Sequence, residues 1–271
     1  TVAVLPVSAE QTAGFGILKV NRQGRIVHFE EKPGPERLAD LESEIPGYGK
    51  GFLASMGIYM FSRDALERAT SDRALVDFGR NVIPQAIGEQ RVQAHFFRGY
   101  WEDVGSIRSY FEANLQLTDP MPAFDFYDVA RPVYTHPRFL PASKIEGCVL
   151  KNVLVSEGGI LMGAEIERSV VGIRSRIGQG TRIRHSLVLG ADYYESLEEI
   201  DRAQATGLPP VGIGQETVIE QAIVDKNARV GRGVRILNAE GAREKDGLGY
   251  FIRDGIVIVP KGGVIPDGSV I

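Results

Sequence analysis

Cysteine is almost absent from this chain: its 271 residues hold one, Cys148. A single thiol excludes an internal disulfide, and with it the small disulfide-framed folds, and suits a reducing compartment. Long apolar runs are also missing. No stretch of 18 or more apolar residues occurs, so nothing has the length of a membrane-crossing helix, and no signal-peptide pattern is present. A basic excess is lacking too. The 31 Lys and Arg against 35 Asp and Glu leave a net charge of -4, which gives no electrostatic footprint for nucleic acid. Local clusters of Lys and Arg can still hold small anions. The chain is 43% hydrophobic and 24% charged, an ordinary globular composition, and it is long enough for two domains.

The strongest positive signal is a repeat in the C-terminal part. Aliphatic residues run Ile160, Ile166, Val171, Ile177, Ile183, Leu189, resume as Ile213, Ile219, Val224, Val230, Ile236, and end as Ile258, Val264, Val270. Most steps are six residues and two are five. A helix stripe needs steps of three and four and a two-sided strand needs steps of two, so neither fits. A six-residue period marks a left-handed parallel β-helix, where each short strand sends one aliphatic inward before a turn. An all-β sandwich is the competing reading. Gly178, Gly214 and Gly231 each follow an inward aliphatic, at corners where a side chain would crowd the turn.

The rest of the chain reads as α/β. Thr1 to Val7 is an apolar strand; Gly16 to Val20 and Arg25 to Glu30 flank a turn at Asn21–Gly24. Ala54 to Phe61 is a further apolar run, with a helix near Asp64 to Thr70. Asp77 to Ile87 reads as a helix interrupted at Pro84, Val92 to Phe97 as a strand, and Gly105 to Leu117 as a helix N-capped by Ser106. The expected organisation is an α/β domain at 1–117, a Pro- and aromatic-rich linker at 118–145, and the β-helix at 146–271. Two insertions, 191–211 and 238–255, break the coils, and solenoids extrude such segments as loops on one face.

Several motifs can carry chemistry, each with a plainer alternative. In Phe29-Glu30-Glu31-Lys32-Pro33 a strand ends in two carboxylates and an ammonium. Lys32 can meet a phosphate and Glu31 sugar hydroxyls, or the segment is only an exposed polar strand end. In Ser55-Met56-Gly57-Ile58-Tyr59, a glycine inside a buried strand suggests close approach to the backbone. Ser55 and Tyr59, four apart, face one side, as a polar pocket or as an internally satisfied core strand. Asp77-Phe78-Gly79 offers a carboxylate and an aromatic wall, or a helix cap. Tyr100-Trp101-Glu102-Asp103-Val104-Gly105 lies between strand and helix, where ligands bind in open α/β sheets. Asp103 there can hold Mg²⁺ or cap the next helix. Lys226 and Lys261 sit at coil corners and, with His136 and Arg138 of the linker, can form an anion pocket or remain solvated. His185 stands among Arg182, Arg184 and the aliphatic ladder with no acyl-donor site near it, and reads as structural rather than as an acyltransferase base.

Taken in order, the stretches GFGILKV, VHFEEKP, LASMGIYMF, DFGRNVIP, YWEDVG, PVYTHPRFLP, ADYYES, AIVDKNARVG and IVIVPKGGVIPDGSVI resemble the ADP-glucose pyrophosphorylase (glucose-1-phosphate adenylyltransferase) family of cyanobacterial and plant type. The resemblance implies a nucleotidyltransferase domain (Rossmann-like, GT-A type), of which the C-terminal part is present, joined to a left-handed β-helix of hexapeptide repeats. It implies formation of ADP-glucose and pyrophosphate from ATP and glucose 1-phosphate with Mg²⁺, for glycogen or starch synthesis. Carried over by motif, Lys32 binds the sugar phosphate, and Glu31 and Ser55 the glucose hydroxyls. Tyr59, Asp77, Phe78 and Trp101 line the glucose pocket, and Asp103 ligates Mg²⁺. Lys32 and Asp103 then form the catalytic pair. Lys226 and Lys261 bind the activator 3-phosphoglycerate, and Arg138 with His136 help bind that anion or inhibitory phosphate. A homo- or heterotetramer in the cytoplasm, or in a plastid of a plant or alga, is also implied, with neither nucleic acid nor membrane as partner. The family's Gly-rich ATP loop and a second metal-binding Asp are not among these residues, so the 271 residues alone are expected not to turn over. Pro260-Lys261-Gly262-Gly263 is richer in turn residues than a regulatory lysine leads one to expect. Rival readings are a UDP- or dTDP-sugar pyrophosphorylase, a regulatory subunit that has lost catalysis, and a hexapeptide acyltransferase.

Overall fold

A computed structural model describes residues 1–72 and 74–271. It contains two compact units, Thr1–Gly99 and Tyr100–Ile271. The first is α/β and the second is built on parallel β-coils, the expected fold class. Among the described residues no helix is long and apolar enough to cross a membrane.

The first unit is a twisted mixed sheet. Its strands are β1 (Val2–Val7), β2 (Gly16–Val20), β3 (Ile26–Glu31), β4 (Ser43–Ile45), β5 (Gly49–Tyr59) and β6 (Ala94–Phe96), in the order β3-β2-β5-β1-β6, with β4 also on β5. Only β1–β6 is parallel; the other pairs are antiparallel. The turn between β2 and β3 forms as expected: Asn21 Oδ1 accepts the N–H groups of Gln23 and Arg25, both at 3.0 Å, and Gly24 takes φ +73°, as a short polar side chain and a glycine allow. Among the described residues of this unit the α-helices are α1 (Leu38–Leu41), α2 (Arg63–Ala69) and α3 (Ile83–Glu89). Val2, Val4, Leu18, Ile26 and Leu53 form the core on which Ile83 and Ala86 of α3 pack.

Two expectations here are corrected. Pro84 does not interrupt a helix. A π-turn over Phe78–Val82 runs into α3, and Pro84 stands in the first turn of α3, where its missing N–H costs nothing. At Gly57 no group approaches: a Cβ there would meet nothing within 4 Å, while φ is +69°. The reason is a bulge. Val4 faces Ser55 but Val2 faces Tyr59, so β5 accommodates extra residues around Gly57, and glycine supplies the left-handed backbone. The extra residues are even in number, so Ser55 and Tyr59 keep the same side.

The second unit opens with α4 (Ile107–Gln116), capped as expected: Ser106 Oγ accepts the N–H of Ser109 at 3.1 Å. Phe111 and Leu115 of α4 pack on Leu187, Ile223 and Ile256 of the coils. Between Lys144 and Ile265 the coil strands then stack in parallel, the hairpin of the second insertion alone pairing antiparallel among the described strands. Three inward ladders run through the stack. One joins Leu161, Ile177, Ile213, Val230 and Ile265. Another joins Ile166, Ile183, Ile219 and Ile236. The third joins Val155, Val171, Val188, Val224 and Val259.

The period read from the sequence is right, but its phase slips by one residue in five places. Leu161, Val188, Val259 and Ile265 point inward, not Ile160, Leu189, Ile258 and Val264. At the last coil Val270 is 63% exposed and Ile271 packs on the core. The steps between inward residues mix fives with sixes more evenly than the aliphatic pattern suggested, and a doublet such as Ile160-Leu161 or Val188-Leu189 gives no way to choose its inward member. Ile258 and Leu189 are not wasted, since they face α4 on the outer side.

The corners explain the backbone. A Cβ on Gly178 would stand 2.7 Å from the Gln215 nitrogen and one on Gly214 2.5 Å from the Gly231 carbonyl carbon, so neighbouring coils pass too close for any side chain. Other corners need positive φ: Asn152, Arg168, His185, Gln221 and Asn238 occupy one such column, at φ between 43° and 53°. His185 is therefore a corner residue, its N–H bonded to the Glu167 carbonyl at 3.1 Å. The insertions are ordered: the first carries α5 (Leu197–Ala205), the second a hairpin of Lys245–Gly247 with Tyr250–Arg253.

The register predicts a contrast. Ile219→Ala, at a fully buried ladder position, should lower unfolding free energy by about 3 kcal/mol, whereas Val270→Ala should change it by less than about 0.5 kcal/mol. Urea unfolding followed by circular dichroism measures both, and equal losses would place Val270 inside after all.

Candidate functional site

In the first unit the bulge in β5, the end of β3 and the π-turn bring five of the expected residues to one place. Tyr59 stacks on Phe78, with ring centroids 5.6 Å apart at 21°. Phe61, which the sequence reading did not single out, tilts against both rings. The Ser55 hydroxyl lies on the Tyr59 phenol and favours its charged form, and Ser55 Oγ accepts the Gly57 N–H at 3.3 Å. Burial raises the Tyr59 pKa above its ordinary value, and the nearby Glu31 and Asp77 carboxylates raise it further. Asp77 does cap its helix, accepting the Arg80 N–H at 2.7 Å, so the plainer reading is true of it, without removing its charge from the cluster.

Glu31 has a carboxylate-sized niche. A Cβ on Gly16 would lie 2.7 Å from its Oε2 and one on Gly79 3.2 Å away, so the two glycines leave the room that the carboxylate fills. Lys32 follows in the left-handed region at φ +50°, with its N–H donated to the Phe15 carbonyl at 3.0 Å and its side chain exposed. That backbone conformation costs a non-glycine residue free energy; it turns the chain out of β3 right at the ammonium. A half-buried aromatic face, two hydroxyls, two carboxylates and a mobile cation can hold a sugar: rings meet C–H faces, hydroxyls exchange hydrogen bonds with the polar groups, and the ammonium meets an attached phosphate.

Trp101 and Asp103 belong to the second unit, on the segment that leads into α4. Asp103 is exposed, and a Cβ on Gly105 would stand 3.0 Å from its Oδ2, so glycine clears space beside this carboxylate. Among the described residues no group of three His, Cys, Asp or Glu side chains could hold a metal ion. What Asp103 offers is one carboxylate, which fits Mg²⁺ only with phosphate oxygens and water as the other donors.

On the β-helix, Lys226 and Lys261 do converge, on the aspartate of the ADYYES stretch. Asp192, at the start of the first insertion, takes Lys226 Nζ on Oδ1 at 3.0 Å and Lys261 Nζ on Oδ2 at 2.7 Å. Asn227 holds it from both ends, donating Nδ2–H to Asp192 Oδ2 at 3.1 Å and accepting the Asp192 N–H at 2.8 Å. These partners hold the Asp192 carboxyl well below the usual carboxylate range, and the same ion pair raises the Lys261 pKa. The turn residues after Lys261 have a function: Gly262, at φ +69°, donates its N–H to the Lys226 carbonyl at 3.0 Å, which ties the two lysine corners together. His136 and Arg138 are exposed on the 118–145 segment. Among the described residues no hydrogen bond or ion pair joins either of them to Asp192, Lys226 or Lys261.

The insertion that presents Asp192 is stapled to the coils. Tyr194 donates its hydroxyl to the Gly158 carbonyl at 2.9 Å, and the Arg174 guanidinium lies 5.6 Å from its ring centroid. Glu195, nearly buried, pairs with Arg229 and accepts the Val211 N–H at 2.7 Å, while Arg229 donates to the Pro209 carbonyl at 2.7 Å.

Two protein-family models match the chain, one towards each end. Residues 1–120 match the family described as Nucleotidyl transferase, and residues 138–270 match the GLGC left-handed parallel beta-helix domain. The chain pairs a nucleotidyl transferase domain with a left-handed β-helix of the GLGC type. That pairing points to the sugar-nucleotide pyrophosphorylases, and the first match supports nucleotidyltransferase activity. The transferase match extends to residue 120 and so includes α4, although α4 packs on the β-helix coils.

Two outcomes test this geometry. Because folded Tyr59 holds its proton more tightly than the ordinary value of 10.0, it contributes stability that is fully present below that pH and lost as pH rises through the folded value. Tyr59→Phe should remove that share of the alkaline loss. Ser55→Ala, which takes away the hydrogen bond that favours the phenolate, should move the Tyr59 titration still higher, as read by ultraviolet difference absorbance. An unchanged titration would mean that the two hydroxyls do not interact. Separately, Glu195→Ala strands Arg229 in a mostly buried setting and should cost about 3 kcal/mol, visible as faster proteolytic cleavage within 191–211.

Proposed function

We propose that this protein is a glucose-1-phosphate adenylyltransferase, joining ATP and glucose 1-phosphate to give ADP-glucose and pyrophosphate. The observation that carries the reading is the Tyr59–Phe78 stack ringed by Ser55, Glu31 and Asp77, with Lys32 next to Glu31 in the chain, a set of groups with the chemistry of a sugar-phosphate site. In this reaction a phosphate oxygen of the sugar attacks the α-phosphorus of ATP, the bond to the β-phosphate oxygen breaks, and pyrophosphate leaves with that electron pair. The step needs no covalent enzyme intermediate; alignment and charge neutralisation are what the protein must supply. Lys32 neutralises the sugar phosphate, Glu31 and Ser55 hold glucose hydroxyls, and Tyr59, Phe78 and Asp77 shape the pocket; Trp101 is assigned to the sugar on its sequence motif alone. Mg²⁺, if held by Asp103 together with phosphate oxygens, would supply the positive charge that offsets the phosphates.

The preference for an adenine nucleotide, the tetrameric state and the regulatory role of the β-helix are parts of the same proposal. They are supported by the sequence motifs and by the joint occurrence of the two domains. In this reading Lys226 and Lys261 bind 3-phosphoglycerate or inorganic phosphate, with Arg138 and His136 as further cations. A polypeptide of these 271 residues alone binds glucose 1-phosphate but does not release pyrophosphate, since it carries no Gly-rich loop for the ATP phosphates.

Pyrophosphate release by the gene product, with Mg²⁺, glucose 1-phosphate and either ATP or UTP, tests the reading. Release with ATP should exceed release with UTP. Lys32→Ala should lower kcat/KM by about 10²-fold, the scale of one lost contact to developing charge. A UTP preference would make this a different sugar-nucleotide enzyme. No release with any nucleotide, alongside retained 3-phosphoglycerate binding, would make it a regulatory subunit.

A further inference from the structure

We infer that Asp192 is the resident counter-ion of the Lys226–Lys261 site, a built-in competitor that an incoming anion must displace, and that it thereby restricts the site to doubly charged phosphates. The inference deepens the regulatory part of the proposed function and rests on it.

The geometry is that of an occupied anion site whose occupant is the protein itself. Each Asp192 oxygen takes one ammonium, at 3.0 and 2.7 Å, and Asn227 Nδ2 supplies a further donor at 3.1 Å. These are the kinds of donor that a phosphate would use. Asp225 is the other charge to count: its Oδ1 accepts the Lys226 N–H at 2.6 Å and its carboxylate acts on Lys261 from nearby. Two lysines against Asp192 and Asp225 leave the cluster neutral, so no surplus charge draws an arriving anion. Taking Asp192 away leaves one net positive charge facing solvent.

The cluster is also accessible. Asp192 is 37% exposed and Lys261 61% exposed, so the pair can exchange partners without the coils opening. Asp192 cannot drift off, however. Its N–H is fixed to Asn227, and the Tyr194 and Glu195 contacts that follow hold the insertion onto three different coils. A tethered carboxylate competes at a high effective concentration. A monoanion offers the lysines no more charge than Asp192 already does and loses to the tether. A phosphate or phosphate monoester carries close to two charges at neutral pH and three acceptor oxygens, enough to bridge both ammonium groups and prevail.

The experiment is calorimetric titration of the full chain with inorganic phosphate, with 3-phosphoglycerate and with acetate, on the unaltered protein, Asp192→Asn and Lys261→Ala. Asp192→Asn should bind both phosphate probes roughly fivefold more tightly, the scale of one solvent-screened charge contact, and should begin to bind acetate. A residue that merely supported the fold could not produce a gain in affinity when removed. Equal or weaker phosphate binding by Asp192→Asn, with binding lost in Lys261→Ala, would overturn the counter-ion role and leave the regulatory site standing. Unchanged binding in Lys261→Ala would overturn the regulatory site itself, and this inference with it. Tightening for 3-phosphoglycerate only would mark the site as one for phosphate esters, and for both probes as one for phosphate in general. Asp192→Ser repeats the charge removal with a smaller side chain should the Asn variant not fold.

Discussion

The stacking of one coil on the next governs the second unit. An inward residue of the β-helix has its ladder neighbour 16 or 17 residues away, as Ile166 has Ile183, or 35 or 36 away where an insertion intervenes, as Ile183 has Ile219, and backbone hydrogen bonds run from coil to coil in step with it. Coils can lie that close only if their corners take up no room. Gly178 and Gly214 meet that demand by lacking a side chain, and Arg168, His185 and Gln221 meet it by accepting positive φ. The stack is rigid as a result, and any residue placed at a corner is held at a fixed height relative to those above and below. Lys226 and Lys261 are such residues, which is why side chains 35 positions apart can grip one carboxylate.

The insertions follow from the same constraint. Residues that exceed a coil's length have nowhere to go but outward, and 191–211 folds back over the stack because Tyr194 and Glu195 find partners there. The Glu195–Arg229 pair is withdrawn from water and bonded on its remaining atoms to Val211 and Pro209, so it orients the insertion more than it stabilises the domain. Asp192 inherits its position from that anchoring.

The first unit works by a different device. Its candidate sugar site depends on local irregularity: a bulge in β5, a π-turn ahead of α3, and a left-handed residue at the end of β3. Each breaks a regular hydrogen-bond pattern, and together they bring Tyr59 and Phe78 into contact beside Glu31 and Asp77, while glycines at 16 and 79 open the niche for Glu31. Such irregularities are where folds place ligand-binding groups, because regular strands and helices already use their backbone polar groups on themselves.

Much of this was legible in the amino-acid order. The six-residue period announced the β-helix, because an inward aliphatic must recur once per strand and turn, and the motifs EEKP, SMGIY and DFG marked groups that do come together. The phase of the ladder was not legible at Ile160-Leu161 or Val188-Leu189, since both members of each doublet are apolar and only the packing of α4 and the neighbouring coils selects one. Gly57 was recognisable as unusual, but whether for a close neighbour or for its backbone angle depended on how β1 pairs with β5. Asp192 stood in a quoted motif with no assigned role, for its partners lie 34 and 69 residues further on, a separation that no local pattern encodes. Sequence alone determined the repeat, the order of the domains and the kinds of side chain at each site, because those depend on composition and spacing. The tertiary structure decided phase, partners and which carboxylate answers which lysine, because those depend on contacts between residues far apart in the chain.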